Sequence, residues 1–336
     1  MPQNASFKSL AKAKVYAHIE MWRPYTVIWS GLVGLVGACL AFGGLPSSDI
    51  AALALFIPMM GWIGGLYLSD ILDRNLDSIE KPHRPIPSGR ISPLEAFLVG
   101  LCFALSGIVL IVWKLNLYNL VLAAVIAALV FLYAFFSKSH GLFGHLNRGL
   151  MTVVAFVFGV VCINQPLSSV PVYVWLMAVV FFVHDTDSNM VGAIRDMEGD
   201  RAGGYLTFPA RYGLRASFAL SIVLTVFWWA LTVGLVVIYD VMSVWFFVGL
   251  GFEVAVLLAL YFYFLKSLSC YSRSRGLRFH EFFVVERILF AIALLMGLVE
   301  VSLAVGIGVI ALAVTLVAQK TLRRRYEFAA SSKGGA

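Results

Sequence analysis

The sequence predicts an all-α polytopic membrane protein of nine to ten transmembrane helices. They would form two four-helix halves around a central cavity, with extra helices beside them. Three observations carry this. Hydrophobic residues make up 61% of the 336-residue chain and charged residues 13%, with a mean hydropathy of +0.90, whereas soluble domains carry about 25% charged residues. Apolar runs of bilayer length recur from residue 25 to residue 319, without the strict alternation of a β-barrel. Lys and Arg fall almost wholly in every second loop.

The spans are about 25–44, 50–71, 93–113, 118–136, 149–164, 171–194, 216–238, 242–265, 282–300 and 302–319. Ahead of the first, residues 1–24 form a basic segment in which Ser6–Trp22 has some amphipathic periodicity, which predicts an interfacial helix. Ala38-Cys-Leu-Ala41 faintly resembles a cleavage site, but the apolar run before it is too long for a signal core, so the first span is retained. The last two spans have no strong turn between them. With a cytoplasmic N-terminus, 24 of the 25 Lys and Arg share the cytoplasmic side and only Lys114 lies opposite, which is the positive-inside pattern. Ten helices rather than nine keep Lys320-Thr-Leu-Arg-Arg-Arg325 on that side. The chain thus divides into a cytoplasmic or interfacial segment 1–24, an integral domain 25–319 and a basic cytoplasmic tail 320–336, flexible after about Tyr326. The expected location is a cell membrane, crossed many times, with the site facing the cytoplasm.

The formal charge of +7 is accounted for by topology and contact with anionic lipid, not by nucleic-acid binding. Cys39, Cys102, Cys162 and Cys270 are scattered without CxxC or metal spacing and are expected as small core residues.

Two acidic clusters interrupt the apolar pattern. After the second span, Ser69, Asp73 and Asp77 share one helical face, with Asp70 beside them. After the sixth, Asp196 and Asp200 repeat the four-residue step, with Arg195 and Glu198 nearby and a polar stripe running back through Asn189 to Asp185. Like charges at this spacing destabilise a helix, and carboxylates near hydrocarbon are costly, so the clusters need cations. Hard divalent ions suit oxygen ligands, and Mg2+ is usually held by a few carboxylates plus substrate phosphates. His and Cys offer no zinc spacing. A basic loop follows each cluster: Lys81, Arg84 and Arg90 on a chain stiffened by Pro82, Pro85 and Pro87, then Arg201 beside Arg195. Acids alone would repel a diphosphate, and bases alone would not hold Mg2+. Both together imply a metal-bridged polyphosphate. A bland alternative, helix-end charges satisfied by water and loop bases, suits one such cluster better than two in equivalent positions.

These residues resemble the signature of the UbiA-type intramembrane prenyltransferases. Family members carry NDxxDxxxD and then a KPxRPxPxGxxS-like loop; here Ser69-Asp70-Ile-Leu-Asp73-Arg-Asn-Leu-Asp77 and Lys81-Pro-His-Arg84-Pro-Ile-Pro-Ser-Gly89-Arg-Ile-Ser92 match them. The family's DxxGD and Gly-x-x-Thr turn are similar to Asp196-Met-Glu-Gly-Asp200 and Gly204-Tyr-Leu-Thr207, and Arg23-Pro24, Tyr133 and Lys138 also resemble family positions. Ser69 stands where Asn is usual, Gly192-Ala193 where many members have Lys-Asp, and His145 where Gly-Asn is common.

The resemblance implies an isoprenyl diphosphate bound through Mg2+. Metal ligands would come from Ser69, Asp70, Asp73, Asp77, Asp196 and Asp200, with Asp73, Asp77, Asp196 and Asp200 central to catalysis. Arg23, Lys81, Arg84, Lys138, Arg195 and Arg201 would bind the diphosphate. The prenyl group would pass to an aromatic, 4-hydroxybenzoate-like acceptor or another lipophilic one, lipid included, with release of pyrophosphate. Asp185, with His184, Asp187 and Asn189, is a candidate to orient or deprotonate that acceptor, interhelical hydrogen bonding being the alternative. Glu286-Arg287 is expected to be a local ion pair, and Glu253 to pair with a neighbouring helix. Two other readings stay open: a cyclase of the same fold that folds the prenyl cation on itself without an acceptor, and a transporter using buried carboxylates.

Overall fold

Hydrocarbon offers the backbone no water to bond, so each apolar run must satisfy its own amides, and helices do so within the segment. In the computed structural model, which describes residues 7–327, the chain runs α1 (Phe7–Trp22), α2 (Pro24–Phe42), α3 (Ser48–Leu72), α4 (Arg74–Glu80), α5 (Pro93–Lys114), α6 (Leu117–Phe135), β1 (His140–Gly141), α7 (Leu142–Cys162), α8 (Val172–Ala202), β2 (Leu206–Thr207), α9 (Phe208–Tyr239), α10 (Trp245–Ser267), α11 (Arg273–Leu298), α12 (Val301–Ala318) and α13 (Arg324–Glu327). Ten of these helices, all but α1, α4 and α13, correspond to the ten expected spans. Eight are long and apolar enough to cross a membrane; α8 and α11 are as long but carry buried charges, among them Asp185, Asp187, Glu286 and Arg287. The last two spans are divided at Val299, whose extended backbone (φ −127°) separates α11 from α12.

Local chemistry sets the helix ends. Ser92 accepts from the Glu95 amide at 3.1 Å ahead of Pro93, and Asn116 accepts from the Asn119 amide at 3.2 Å, each filling an amide that has no partner inside the helix. Gly213 (φ 81°) kinks α9 after its first turn, in a conformation that side chains with a Cβ rarely take.

The inner helices are α2, α7, α8 and α11. α2 and α7 approach so closely that a Cβ on Gly159 would lie 1.8 Å from the Gly34 carbonyl oxygen, the small-residue packing by which membrane helices bring their backbones together. Trp29, Phe156, Phe181, Trp228 and Phe290 fill the contact among the inner faces. Asn119 of α6 donates to the Phe158 carbonyl of α7 at 3.0 Å.

Four differences from the sequence expectations matter. The first acidic cluster is not on one continuous helix: Asp73 ends α3 and begins α4. The second cluster lies on α8 itself, which runs on to Ala202. Glu286 and Arg287 do not pair with each other, because adjacent helical residues point about 100° apart; Glu286 meets His184 at 3.2 Å and Arg287 reaches Asp185 at 3.8 Å. The tail is not wholly a solvated basic strand: Tyr326 and Glu327 are 1% and 4% exposed. The rest of the tail, 328–336, lies outside the described residues.

Candidate active site

The alternation of long helices brings the start of α2 and the ends of α3, α6, α8 and α12 to one end of the bundle, the end at which all basic residues but Lys114 are expected. Both acidic clusters meet there. Each acid of the first cluster has its own base. Arg23 bonds Asp70, and it does so from a left-handed backbone (φ 47°) just before Pro24. Such a conformation in a residue other than glycine costs about 1–3 kcal/mol and marks a place where surrounding contacts dictate the backbone. Lys138 Nζ lies 2.7 Å from Asp73 Oδ2, and the Ser69 hydroxyl is 3.4 Å from the same oxygen. Arg84 Nη1 donates to both oxygens of Asp77, at 2.9 and 2.8 Å.

The loop that supplies Lys81 and Arg84 is a chain of tight turns, Arg84 N to Lys81 O at 3.0 Å, Gly89 N to Ile86 O at 3.0 Å and Ile91 N to Pro85 O at 3.1 Å. Its proline-rich sequence therefore presents the two bases at fixed positions. Arg90 is turned outward to the N-terminal segment, where it holds Glu20 at 2.5 Å.

The second cluster concentrates bases on one acid. Asp196 is bonded by Arg195, lies 3.7 Å from Lys81 Nζ and 3.5 Å from Arg273 Nη2. Lys81 thus ties the loop of the first cluster to the second. Burial presses the Lys81 ammonium below its ordinary range, against the pull of Asp196. Asp200 has a hydroxyl instead of a base: Thr207 Oγ1 donates to it at 3.1 Å, and among the described residues it has no ion pair. A two-residue parallel ladder, His140 with Leu206 and Gly141 with Thr207, fixes the loop after α6 against the turn after α8. That ladder places Lys138 between the clusters, bonded to Asp73 and 4.9 Å from the Tyr205 ring centre. Burial opposes its charge, but Asp73, with Tyr133 and Tyr205 beside it, holds the ammonium above its ordinary range.

Ser69, Asp70, Asp73, Asp77, Asp196, Asp200, Arg23, Lys81, Arg84, Lys138 and Arg195 are thus brought to one cleft. Two expected members are not. Arg201 is exposed and donates to the Ala210 carbonyl at 3.0 and 2.8 Å, bracing the turn into α9. Asp185 lies eleven residues before Asp196 on α8, about 16 Å at 1.5 Å per residue. There it accepts from Trp29 Nε1 at 3.0 Å and faces Arg287, so it fastens helices together and does not touch the cleft.

Two residues that the sequence did not single out complete the cleft. Tyr326 bonds Arg23, donates to Asp70 Oδ2 at 2.8 Å, and has the Arg23 and Arg84 guanidinium carbons 4.5 and 4.2 Å from its ring centre. Glu327 takes Arg195 at 2.8 Å and Arg84 at 3.8 Å. The only advance signal was that Tyr-Glu follows a run of arginines, which says nothing of burial.

Among the described residues no three acids or imidazoles stand close enough together to hold a metal ion by themselves, and each acid of the first cluster, and Asp196, is engaged with bases. The donor set still fits Mg2+: it is all oxygen, and this ion is commonly bound by one or two carboxylates, with phosphate oxygens and water completing its shell.

The profile of the UbiA prenyltransferase family matches residues 27–285. A digeranylgeranylglyceryl phosphate synthase of Thermococcus kodakarensis is 31% identical over 214 residues, 62% of this chain and 75% of that protein. One from Methanobrevibacter smithii is 32% identical over 248 residues, 73% of this chain and 85% of its own length. A UbiA homolog from Archaeoglobus fulgidus, solved bound to GPP and Mg2+, shares the fold with a TM-score of 0.60 at 17% identity, covering 83% of this chain and 99% of that one. With more than half of its length matched, and both aspartate clusters inside or at the edge of a single cleft, the chain belongs to the UbiA prenyltransferase family.

Proposed function

We propose that this enzyme moves a prenyl group from an isoprenyl diphosphate to the hydroxyl of a glyceryl phosphate lipid and releases pyrophosphate, at the cytoplasmic face of a cell membrane. One observation carries the reading: acids from two helix ends and bases from two loops converge on one cleft, with Lys81 reaching from the loop of the first cluster to Asp196 of the second. The lipid acceptor is favoured by the relatives, which are digeranylgeranylglyceryl phosphate synthases. The sidedness rests on the basic residues gathered at the cleft's end of the bundle.

Lys81, Arg84 and Arg195 would donate to the diphosphate oxygens, and Arg23 and Lys138 would close its two flanks. Their charge matters most as the bond between the prenyl carbon and oxygen lengthens, because the leaving group then gains negative charge. Bound Mg2+, held by Asp70, Asp73, Asp77, Asp196 and Asp200 with Ser69 beside them, would neutralise the diphosphate. The apolar helices beyond the cleft would take the prenyl tail and keep water from the electron-poor carbon. The acceptor oxygen forms the new bond to that carbon, the carbon–diphosphate bond breaks, and the hydroxyl proton passes to the released pyrophosphate or to water.

Purified protein in detergent, given Mg2+ and C10 to C20 prenyl diphosphates, tests this through pyrophosphate release with and without a prenylated glyceryl phosphate. Phenolic acceptors belong in the same assay. Release that depends on the lipid and yields an ether supports the reading. Release only with a phenol replaces the acceptor, and release without any acceptor, with a cyclic hydrocarbon as product, makes the protein a cyclase. EDTA should abolish release and added Mg2+ restore it.

A further inference from the structure

The cleft is already occupied, by the chain itself. Glu327 sits between Arg84, from the loop of the first cluster, and Arg195, from the second, so its carboxylate spans the two motifs as a diphosphate would have to. Tyr326 lies against Arg23 and Arg84 and takes an oxygen of Asp70, and its carbonyl lies 3.1 Å from His83 Nε2. Three of the bases and one of the acids that a magnesium diphosphate needs are therefore engaged by two residues of the C-terminus.

These contacts differ from ordinary helix docking. A permanently packed terminus buries apolar side chains; this one buries a phenol and a carboxylate against charged groups. Moreover, Glu327 Oε2 is buried with no hydrogen-bond partner among the described residues. One oxygen is thus left without a hydrogen bond, and an anion with more oxygens can make more bonds to the same bases. The segment is also short and joined through an irregular turn. α13 is four residues long, and it joins α12 through a π-helical turn, Gln319–Arg323. Such widened turns are rare and concentrate where helices change course at functional sites. Gln319 donates to the Glu281 carbonyl at 3.1 Å, and Arg323 bonds His280 and lies 5.0 Å from the Tyr25 ring centre, so both ends of the turn are anchored and the plug is carried by the residues after Arg323.

We propose that Tyr326 and Glu327 are an internal ligand of the diphosphate seat, holding the enzyme in a closed, self-neutralised form until they swing out beyond Arg323, where the anchored Gln319–Arg323 turn ends, to admit the metal-bound diphosphate. This rests on the reading of the cleft as that seat. If the closed form outnumbers the open one about tenfold, apparent affinity for the ligand falls about tenfold, and removing the plug restores it.

The test uses magnesium pyrophosphate as the probe, so no turnover is needed. Its affinity is measured by calorimetry for the full chain, for Glu327→Gln, for Tyr326→Phe and for a chain ending at Arg323. Glu327→Gln keeps the shape of the segment and guards against a truncated chain that fails to fold. In parallel, tryptic cleavage after Lys320 and Arg325, both exposed, is followed with and without the probe. The expected result is affinity about tenfold tighter in the truncated chain and several-fold tighter in Glu327→Gln, with the probe accelerating cleavage in the full chain. Unchanged or weaker affinity in both variants would overturn the proposal, since the segment would then be a bystander or a wall of the seat. Absence of binding in every chain would instead overturn the diphosphate seat itself, and the internal ligand with it.

Discussion

The two aspartate clusters have nearly the same spelling and different electrostatics. In the first, Asp70, Asp73 and Asp77 each face a separate base, Arg23, Lys138 and Arg84, and Asp73 marks the junction of α3 and α4. In the second, Arg195, Lys81 and Arg273 crowd on Asp196, while Asp200, one turn on along unbroken α8, has among the described residues the Thr207 hydroxyl and no ion pair. The first cluster is neutralised residue by residue, and the second keeps one acid without an ion-pair partner. Asp200 is therefore where a divalent ion would meet the least competition, whereas an ion at the first cluster must displace an ammonium or a guanidinium. A repeated motif can thus supply two unlike half-sites to one ligand.

The largest effect should come from removing an acid of either half. Asp73→Ala and Asp200→Ala should each lower the rate of pyrophosphate release by about 10³-fold, the upper range for losing one preorganised electrostatic contact. Both lie at helix ends, so the amount of protein in the membrane fraction should be unchanged. Near-normal turnover in either variant would break the view that both clusters serve one seat.

A smaller effect separates the bases. Arg84→Lys and Arg195→Lys keep the charge but lose the planar fork. Each guanidinium serves an acid of its own cluster and would have to reach a diphosphate oxygen as well once Glu327 leaves, and an ammonium cannot reach both. KM for the prenyl diphosphate should rise about tenfold, or 1.4 kcal/mol, with less change in kcat. The initial-rate dependence on donor concentration measures this. If only Arg195→Lys raises KM, Arg84 serves the resting protein and not the substrate.

Much of this arrangement was legible in advance because it is written in runs and spacings. Ten apolar segments gave ten long helices, and the loop Lys81-Pro-His-Arg84-Pro carried its bases to the cleft on turns its prolines favour. Other parts were illegible for physical reasons. Ser69, Asp73 and Asp77 keep a helical spacing across a break, since Asp73 itself stays in a right-handed conformation (φ −79°, ψ −2°), and spacing alone cannot show it. Arg201 has the composition of a diphosphate ligand, but the Ala210 carbonyl captures it. Asp185 falls on the polar stripe of α8, yet rise along the helix takes it out of reach of the cleft. Tyr326 and Glu327 follow a basic run that favours solvent, and the groups that hold them inward, Asp70, Arg84 and Arg195, come from distant parts of the chain. These are contacts between residues far apart in sequence, which periodicity does not encode.

The smallest effect concerns the hydroxyl that each cluster sets beside an acid. Thr207 Oγ1 is 3.1 Å from Asp200, and Ser69 Oγ is 3.4 Å from Asp73. Hydrogen bonds to charged groups contribute about 1.5–3 kcal/mol when well formed, and they weaken as they lengthen. Among the described residues Asp200 has the Thr207 hydroxyl and no ion pair, with Lys138 and Lys81 acting only from farther off, whereas Asp73 keeps Lys138 at 2.7 Å whatever Ser69 does. Thr207→Val, which preserves shape, should therefore lower kcat/KM about fivefold, or about 1 kcal/mol. Ser69→Ala should change it less than about twofold. Measured side by side at saturating Mg2+, equal losses would mean that Ser69 gains a role once ligand displaces Lys138 from Asp73. The expected inequality would locate the asymmetry of the two half-sites in their partners, not in their aspartates.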